Sequence, residues 1–241
     1  AIEKYPSYAM AYVGIADSYI TLVMWRILPA KEGFPKAKEA AAKALEIDDS
    51  LGEAHNSLAT LKYTFDWDWK EAEKEYQRAI ELSPSYATAH QWYGEFLTLM
   101  GRFDEGLKEI KLAQELDPLS LMINAIEGWF YFLARDYDKG IDQCKRTLEM
   151  DPDFSPAHLY LSWNYSGKKM YEEALSEAQK SGDLYFVAYS YAKMNRQDDV
   201  QRLLTSISEQ PQLSALEIAG TYFVLGEREE GWRWLQEAMD E

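Results

Sequence analysis

The sequence predicts an all-α fold built from repeated pairs of helices, and three observations support this prediction. Three segments end in the same way, and their prolines, Pro84, Pro118 and Pro152, are 34 residues apart. Small residues recur at a similar period in two separate rows. The chain has only 8 Pro and 13 Gly in 241 residues, too few for the many tight turns of an all-β fold. Self-similarity at such a period is typical of helical solenoids.

The two rows of small residues predict where the paired helices pack closely. The row on the first helix of each pair comprises Ala16, Ala59, Gly94, Gly128, Ser162, Ala188 and Ala219. The row on the second helix comprises Ala37, Ala72, Gly106, Gly140, Ala174, Val200 and Gly231. A tyrosine follows the first row by three residues at Tyr19, Tyr131, Tyr165, Tyr191 and Tyr222. Because residues i and i+3 share a helix face, we expect each tyrosine to fill the space beside the contact.

Prolines and turn residues divide the chain into units. A proline cannot continue a helix, so each closing proline ends a unit. Gly101, Asn195 and Gly226 tolerate a left-handed backbone and are expected in the turn inside a unit. The whole chain, residues 1–241, is predicted to be one solenoid. Its units are 9–51, 52–86, 87–120, 121–154, 155–180, 181–211 and 212–241. Residues 1–8 are interpreted as the tail of a preceding unit, and a long loop is expected from Trp25 to Pro35.

This order of small, aromatic, small and proline positions in a 34-residue period resembles the tetratricopeptide-repeat (TPR) family. The resemblance covers nearly the whole chain and is strongest from residue 52 to residue 181. It implies a right-handed α-solenoid of about seven helix–turn–helix units whose first helices line a concave groove. It also implies a non-catalytic scaffold that binds a protein or a peptide.

A narrower resemblance concerns the stretches FPKAKEA (34–40), DWDW (66–69) and YATAHQWY (86–93). They are similar to C-terminal TPR modules of bacterial signalling proteins, namely serine/threonine kinases, adenylate cyclases and winged-helix regulators. This resemblance implies a regulatory arm of a larger cytoplasmic protein. We expect the chain to be a piece of that longer protein.

The family pattern places three rows of side chains on the inner surface of the groove. From these rows we predict seven partner-binding residues: Gln91, Glu95, Trp129, Phe132, Leu159, Trp163 and Tyr189. Tryptophan and tyrosine often anchor partners, but aromatic stripes at helical spacing also form simple cores. An alternative is a ligand-sensing module whose aromatic cluster binds a small molecule. The rows contain no Lys or Arg, which argues against a clamp for acidic chaperone tails.

The net charge of −16 bears on the class of partner. Such a chain repels phosphate backbones and anionic lipids, so nucleic acid and membranes are disfavoured as partners. The charge indicates either solubility alone or a preference for basic partners. The terminal helices are not obviously polar caps, so the end repeats are expected to allow self-association.

No nucleotide-binding loop, hydrolase motif or zinc-protease motif is present, so the sequence predicts no enzyme and no cofactor. His55, His90 and His158 occupy the same place in their units, which suggests either a metal ladder or half-buried structural rings. The second interpretation is favoured because a zinc site needs four convergent ligands, and no metal site is predicted. Glu127, on an otherwise apolar row, is either a perturbed acid at a site or a satisfied structural carboxylate. Cys144 is expected to be a small buried side chain.

Overall fold

The computed structural model describes residue 2 and residues 4–25, 27–207 and 215–240 of the chain. In this part of the chain there are fourteen helices and no strand. The helices are α1 (Ala9–Met24), α2 (Ala30–Ile47), α3 (Gly52–Thr64), α4 (Trp69–Leu82), α5 (Ala87–Leu99), α6 (Phe103–Leu116), α7 (Leu121–Leu133), α8 (Tyr137–Met150), α9 (Ser155–Gly167), α10 (Tyr171–Ser181), α11 (Leu184–Lys193), α12 (Gln197–Ile207), α13 (Ala215–Leu225) and α14 (Arg228–Asp240). Successive helices pack in pairs across short turns, and the all-α repeat fold is confirmed.

The chain divides into two compact units. The N-terminal unit comprises residues 1–118 and contains α1 to α6. The C-terminal unit comprises residues 119–241 and contains α7 to α14. The predicted boundaries of the repeats, and their continuity as a single array, stay predictions.

The close approach of paired helices at small residues is confirmed. A Cβ atom added to Gly94 on α5 would lie 3.0 Å from the carbonyl oxygen of Gly106 on α6. A Cβ atom on Gly106 would lie 2.8 Å from the carbonyl oxygen of Gly94. On α7, a Cβ atom at Gly128 would lie 2.3 Å from the sulfur of Cys144 on α8. Larger side chains at these positions would push the paired helices apart, which explains the small rows.

Within each unit, a first helix that follows another pair also packs on the second helix of that pair, and we call this contact the seam. In one seam, Leu161 on α9 packs with Ile141 and Cys144 on α8. In another, Val187 on α11 packs with Leu175 and Ala178 on α10. The seams and the pair contacts together bury the apolar core within each unit.

Six of the turns inside the pairs contain a residue with a left-handed backbone, as predicted for three of them. Gly101, Asn195 and Gly226 have φ angles of 79°, 58° and 87°. The sequence did not point to Trp67, Arg135 and Lys169, which adopt φ angles of 56°, 62° and 63° in the corresponding turns. A left-handed backbone is costly for residues other than glycine, asparagine and aspartate. The closure of the helix pair therefore decides the conformation there, against the local preference of the residue.

The loop expected from Trp25 to Pro35 ends earlier than predicted, because α2 already begins at Ala30 with Pro29 as its N-cap residue. Pro35 consequently lies inside α2, where it removes one backbone hydrogen-bond donor. Packing compensates for this loss. The ring of the buried Phe34 contacts the ring of Phe65, with 5.5 Å between the centroids.

Candidate functional site

Four aromatic side chains of the C-terminal unit form a continuous row of ring contacts. We define the aromatic row as Phe132 on α7, Trp163 on α9, and Phe186 and Tyr189 on α11. The ring centroids of Phe132 and Trp163 are 5.6 Å apart, and those of Trp163 and Phe186 are 5.5 Å apart with nearly parallel planes. The rings of Phe186 and Tyr189 are separated by 5.8 Å. Three helices therefore contribute to one apolar surface, and these distances are typical of favourable aromatic pairs.

The side chains of the aromatic row are only partly buried. Their contacts with one another fix the positions of the rings, and part of each ring surface remains accessible to solvent. The indole nitrogen of Trp163 is itself buried and has no hydrogen-bond partner in the part of the chain that the structure describes. An unpaired buried N–H group costs about 1–3 kcal/mol. The row thus combines an apolar face with one unsatisfied donor.

The remaining predicted aromatic and apolar residues lie on the same helices, one turn from members of this row. Trp129 on α7 is partly buried, and its ring contacts that of Phe130 at 5.4 Å in an edge-to-face arrangement. Leu159 on α9 is also partly buried and lies one helical turn before Trp163. The family pattern missed Phe186, although its spacing of three residues from Tyr189 puts both on one helix face.

In the N-terminal unit, the two predicted polar residues form a pair on α5. The amide of Gln91 donates a hydrogen bond of 2.9 Å to Glu95. Gln91 is buried and Glu95 is partly buried. Burial raises the pKa of Glu95 to about 7, although the hydrogen bond from Gln91 opposes this shift.

A second carboxylate of the N-terminal unit has a similar environment. Asp17 on α1 accepts a hydrogen bond of 2.5 Å from the hydroxyl of Ser57 on α3. Burial raises the pKa of Asp17 to about 6, and the hydrogen bond from Ser57 opposes this shift. The groups that act on the pKa values of Asp17 and Glu95 include no cation. Both acids are therefore desolvated without a compensating positive charge from the described residues.

The three histidines share one arrangement, which we call the His–Glu clamp. The Nδ1 atoms of His55, His90 and His158 lie 2.6, 2.7 and 2.5 Å from the carboxylates of Glu75, Glu109 and Glu177. Each Nε2 atom lies near a main-chain carbonyl six residues earlier, at 3.0 Å from Asp49, 3.1 Å from Pro84 and 2.9 Å from Pro152. Each clamp therefore ties the first helix of a pair to the second helix and to the preceding turn.

Both ring nitrogens of each clamp histidine face acceptors, and for His55 and His90 these contacts favour the doubly protonated ring. The hydrogen bond to Glu75 raises the pKa of His55 in spite of its burial. Burial alone would lower the pKa of His90, but the hydrogen bonds to Glu109 and to the Pro84 carbonyl outweigh it, so the pKa is raised. These contacts leave no ring nitrogen free to bind a metal. No group of three or more potential metal ligands occurs among the described residues.

In the pair formed by α7 and α8, both residues of the His–Glu clamp are replaced. Asn124 on α7 takes the place of the histidine, and Gln143 on α8 takes the place of the glutamate. The amide of Gln143 donates to the main-chain carbonyl of Asn124 at 3.1 Å. A neutral pair therefore replaces the ionisable pair at this place in the fold.

Glu127 and Cys144 have structural environments. Glu127 is buried and accepts a hydrogen bond of 2.9 Å from the hydroxyl of Tyr131, one turn later on α7. Cys144 is fully buried, and burial raises the pKa of its thiol well above its usual range. A thiol in this environment is inert, as expected for a small core residue.

In the turn at residues 66–69, one aspartate caps a helix and both tryptophans are exposed. Asp68 caps α4 by accepting a hydrogen bond of 3.1 Å from the backbone N–H of Glu71. Asp66 pairs with Lys38 at 2.6 Å. Trp67 and Trp69 do not pack back into the core, since 73% and 48% of their surfaces remain exposed.

Comparison with known proteins defines the fold class. No protein-family model matches the sequence, and no curated protein matches it. Among solved structures, PilF of Pseudomonas aeruginosa has a TM-score of 0.61 at 18% identity, covering 91% of this chain and 98% of that chain. A tetratricopeptide-repeat protein of Parabacteroides merdae has a TM-score of 0.64 at 13% identity, covering 96% and 93% of the two chains. A chain of the APC/C hetero-tetramer Cut9–Hcn1 has a TM-score of 0.62 at 13% identity, covering 98% of this chain and 44% of that chain.

These likenesses give the chain the fold of a tetratricopeptide-repeat protein. The narrower resemblance to modules of signalling proteins stays a prediction. Of the helices in the described residues, none combines the length and the apolar character that crossing a bilayer requires.

Proposed function

We propose that this chain is a non-catalytic interaction module that binds a protein or a peptide on the inner faces of its first helices. The aromatic row carries the proposal. Phe132, Trp163 and Tyr189 come from three successive first helices, and Phe186 connects their rings. Partly buried, pre-positioned aromatic side chains bind with little loss of conformational entropy, which makes them effective anchors.

The apolar surface of the aromatic row favours a partner that contributes apolar side chains to the contact. A leucine, methionine or aromatic side chain of a peptide would cover the rings of Trp163 and Phe186, which lie nearly parallel. In the N-terminal unit, Asp17 and Glu95 favour a basic group, because no cation among the described residues compensates these acids. Gln91 belongs to this second contact through its hydrogen bond to Glu95.

The net charge of −16 supports a protein or peptide partner over nucleic acid or an anionic membrane. The three stretches that resemble bacterial signalling modules support a role as the regulatory arm of a larger cytoplasmic protein. One of the similar chains belongs to a hetero-tetramer, the APC/C assembly Cut9–Hcn1. That assembly is consistent with a binding function for the fold.

A ligand-sensing role is the second candidate, and the stacked rings of Trp163 and Phe186 favour it. A flat aromatic molecule would pack on this stack. Such a ligand would raise the melting temperature by mass action. A screen of aromatic metabolites by thermal shift, with the Trp163→Ala variant as the reference, separates this role from peptide binding.

The test of the proposed function is affinity capture from a lysate of the source cell, followed by mass spectrometry. The intact chain is compared with a Trp163→Ala/Tyr189→Ala variant and a Gln91→Ala/Glu95→Ala variant. The control is Trp67→Ala/Trp69→Ala, which removes two aromatic rings that are exposed elsewhere. Circular dichroism verifies that all variants remain helical.

We expect the intact chain and the control to capture the same protein and the aromatic-row variant to lose it. The dissociation constant for the purified partner should then rise at least tenfold in the aromatic-row variant. Equal capture by all four proteins would show that the inner rows are not the binding surface.

A further inference from the structure

In the N-terminal unit, two carboxylates lie side by side on α1 and α3. Asp17 on α1 accepts the hydrogen bond of 2.5 Å from Ser57, and the same hydroxyl lies 3.1 Å from the main-chain carbonyl of Glu53, one turn earlier on α3. Asp17 therefore faces the turn of α3 that carries Glu53. The negative charge of Glu53 adds to the effect of burial, which raises the pKa of Asp17 to about 6. Among the described residues that act on this pKa, none is a cation, so the two acids repel each other without compensation.

A tyrosine from a third helix approaches the same two acids. Tyr86 is the N-cap residue of α5, and its pKa is raised to about 12 by burial first and then by the charges of Asp17 and Glu53. Among the described helices, α3 packs on both α1 and α5, which do not contact each other. The ring of Tyr86 therefore crosses α3 to come near Asp17. Asp17, Glu53 and Tyr86 are each partly exposed, so the cluster is open to solvent.

The side chain of Asn56 is a second and independent indication of a ligand at this cluster. Asn56 follows Glu53 by three residues, so both lie on one face of α3, and it precedes Ser57 directly. Its side chain is 0% exposed. Neither the oxygen nor the nitrogen of its carboxamide has a hydrogen-bond partner in the part of the chain that the structure describes. Folded proteins rarely leave both ends of a buried amide unpaired, because each missing hydrogen bond costs stability.

The fold does not require polar residues at these places. Counted from the rows of small residues, the positions equivalent to Asp17, Glu53, Asn56 and Ser57 can be found on α7 and α9. They carry apolar or aromatic side chains, namely Trp129, Pro156, Leu159 and Tyr160. Two neighbouring first helices thus pack there without a carboxylate. Packing alone therefore does not explain the two acids and the buried amide of the N-terminal unit.

We propose that Asp17, Glu53 and Asn56 bind the side-chain ammonium group of a lysine in the partner. The inference rests on the proposed function, since it names one residue that a bound peptide contributes. An ammonium group donates three hydrogen bonds in different directions, and the two carboxylates and the carboxamide oxygen offer three acceptors from α1 and α3. Lysine fits better than arginine, because a planar guanidinium group pairs best with both oxygens of one carboxylate. The positive charge also ends the repulsion between the two acids.

The amide nitrogen of Asn56 favours a lysine within a peptide over a free amine. When the carboxamide oxygen accepts from the ammonium group, the nitrogen still needs an acceptor, and a main-chain carbonyl of the same peptide provides one. The ring of Tyr86, which is partly exposed, turns aside to admit the peptide.

Heteronuclear NMR of the full chain at pH 8 tests this site, because the side-chain amide of Asn56 gives its own signal. The probe is the peptide acetyl-alanyl-lysyl-alanine amide. The control ligand carries norleucine in place of lysine and so lacks only the ammonium group. Asp17→Asn and Glu53→Gln remove one charge each and keep the shape of the side chain. Glu115→Gln is the matched control, because it makes the same change at an exposed position on α6.

We expect the lysine probe, and not the norleucine peptide, to shift the Asn56 signals in a saturable way. Asp17→Asn and Glu53→Gln should each weaken binding at least tenfold, while Glu115→Gln leaves it unchanged. Both acid variants should also raise the melting temperature of the free chain, because each removes one of two neighbouring charges that lack a cation. Acids with a purely structural role would instead lower the melting temperature when replaced.

Equal binding of the two peptides, or no shift of the Asn56 signals up to the solubility limit of the lysine probe, would overturn the proposal. Acid variants that bind the lysine probe as tightly as the intact chain would overturn it as well. The variants leave the aromatic row unchanged, so the proposed function is tested separately. Capture of a partner through the aromatic row, together with failure of the lysine probe, would therefore reject this site alone.

Discussion

At the scale of single residues, the fold holds the backbone of Lys169 in a conformation that is unfavourable for lysine. Its φ angle of 63° is left-handed, and the side chain is exposed. We expect Lys169→Gly to raise the free energy of unfolding by about 0.5–1 kcal/mol, because glycine adopts this conformation without a steric penalty. Thermal and urea unfolding followed by circular dichroism measure the change. The reverse change Gly101→Lys should destabilise the chain by a similar amount, and a loss of stability in Lys169→Gly would contradict this account.

The sequence contained the information for this turn, but residue preferences concealed it. Gly101, Arg135 and Lys169 are 34 residues apart, the same period that separates the closing prolines. Glycine pointed to the left-handed position in one turn because it favours that conformation. Arginine and lysine do not favour it, so only the repeat register could have predicted their backbone angles.

Glu95 gives a residue-scale prediction about pH. Its pKa is raised by burial to about 7 in the folded chain, above the ordinary value of 4.5. Between these two values the folded state binds more protons than the unfolded state, so stability falls as the pH rises. Glu95→Gln cannot ionise, and it should raise the free energy of unfolding at pH 8 by on the order of 1–3 kcal/mol. At pH 4 the variant and the intact chain should be equally stable.

Unfolding curves at pH 4, 6 and 8 measure this effect. Glu115→Gln is the control, because it makes the same chemical change at an exposed position. A gain that is equal at pH 4 and at pH 8 would show that ionisation of Glu95 is not its cause.

At the scale of the helix pair, the His–Glu clamp predicts a second pH dependence. The pKa values of His55 and His90 are raised in the folded chain. Their contribution to stability is fully present below the unfolded pKa of about 6.5 and is lost as the pH rises through the higher folded values. The double variant His90→Asn/Glu109→Gln copies the neutral pair at Asn124 and Gln143. Its free energy of unfolding should change less between pH 6.5 and pH 8.5 than that of the intact chain.

The two single variants serve as controls for the clamp. His90→Asn alone leaves Glu109 without its partner, and Glu109→Gln alone leaves the ring of His90 without its carboxylate. Each should be less stable at pH 6.5 than the double variant, because a partly buried polar group loses its partner. A double variant with the same pH dependence as the intact chain would mean that the clamp does not titrate in this range.

The equal spacing of the histidines predicted a shared role, but not the partner of each ring. Glu75, Glu109 and Glu177 occupy equal positions on the second helices, and Gln143 stands opposite Asn124. This matched exchange was visible in the sequence. Whether the two exchanged residues face each other depends on the rotation of one helix against the other. The rows of small residues constrain this rotation only loosely.

At the scale of the whole molecule, the repeat period predicted the fold class because every level of the pattern agrees with it. Small rows, tyrosines, turns and closing prolines all specify the same helix pairs. The division into two compact units did not follow from the pattern. The aromatic row was predicted in part, since Phe186 joins it through contacts between helices and not through its place in the period. The partner-binding residues stay a prediction.

The short range of the contacts between helices predicts how far a destabilising substitution acts along the chain. Within each unit, contacts join helices that are at most two apart in chain order. Tyr76 is fully buried on α4, and its hydroxyl lies 2.9 Å from that of Thr60 on α3. Tyr76→Ala should cost about 3–5 kcal/mol, as expected for the loss of a large buried ring. Because stability in repeat proteins is approximately a sum of nearest-neighbour terms, this cost should remain local.

Hydrogen exchange measured by mass spectrometry tests this localisation. Tyr76→Ala should accelerate exchange in α3, α4 and α5 and leave α9 to α11 at the rates of the intact chain. Leu161→Ala, in the seam between α8 and α9, is the matched change in the C-terminal unit and should give the opposite distribution. Uniform acceleration in all helices by either variant would show that the chain unfolds as one cooperative body, in which a core substitution anywhere lowers the stability of every repeat.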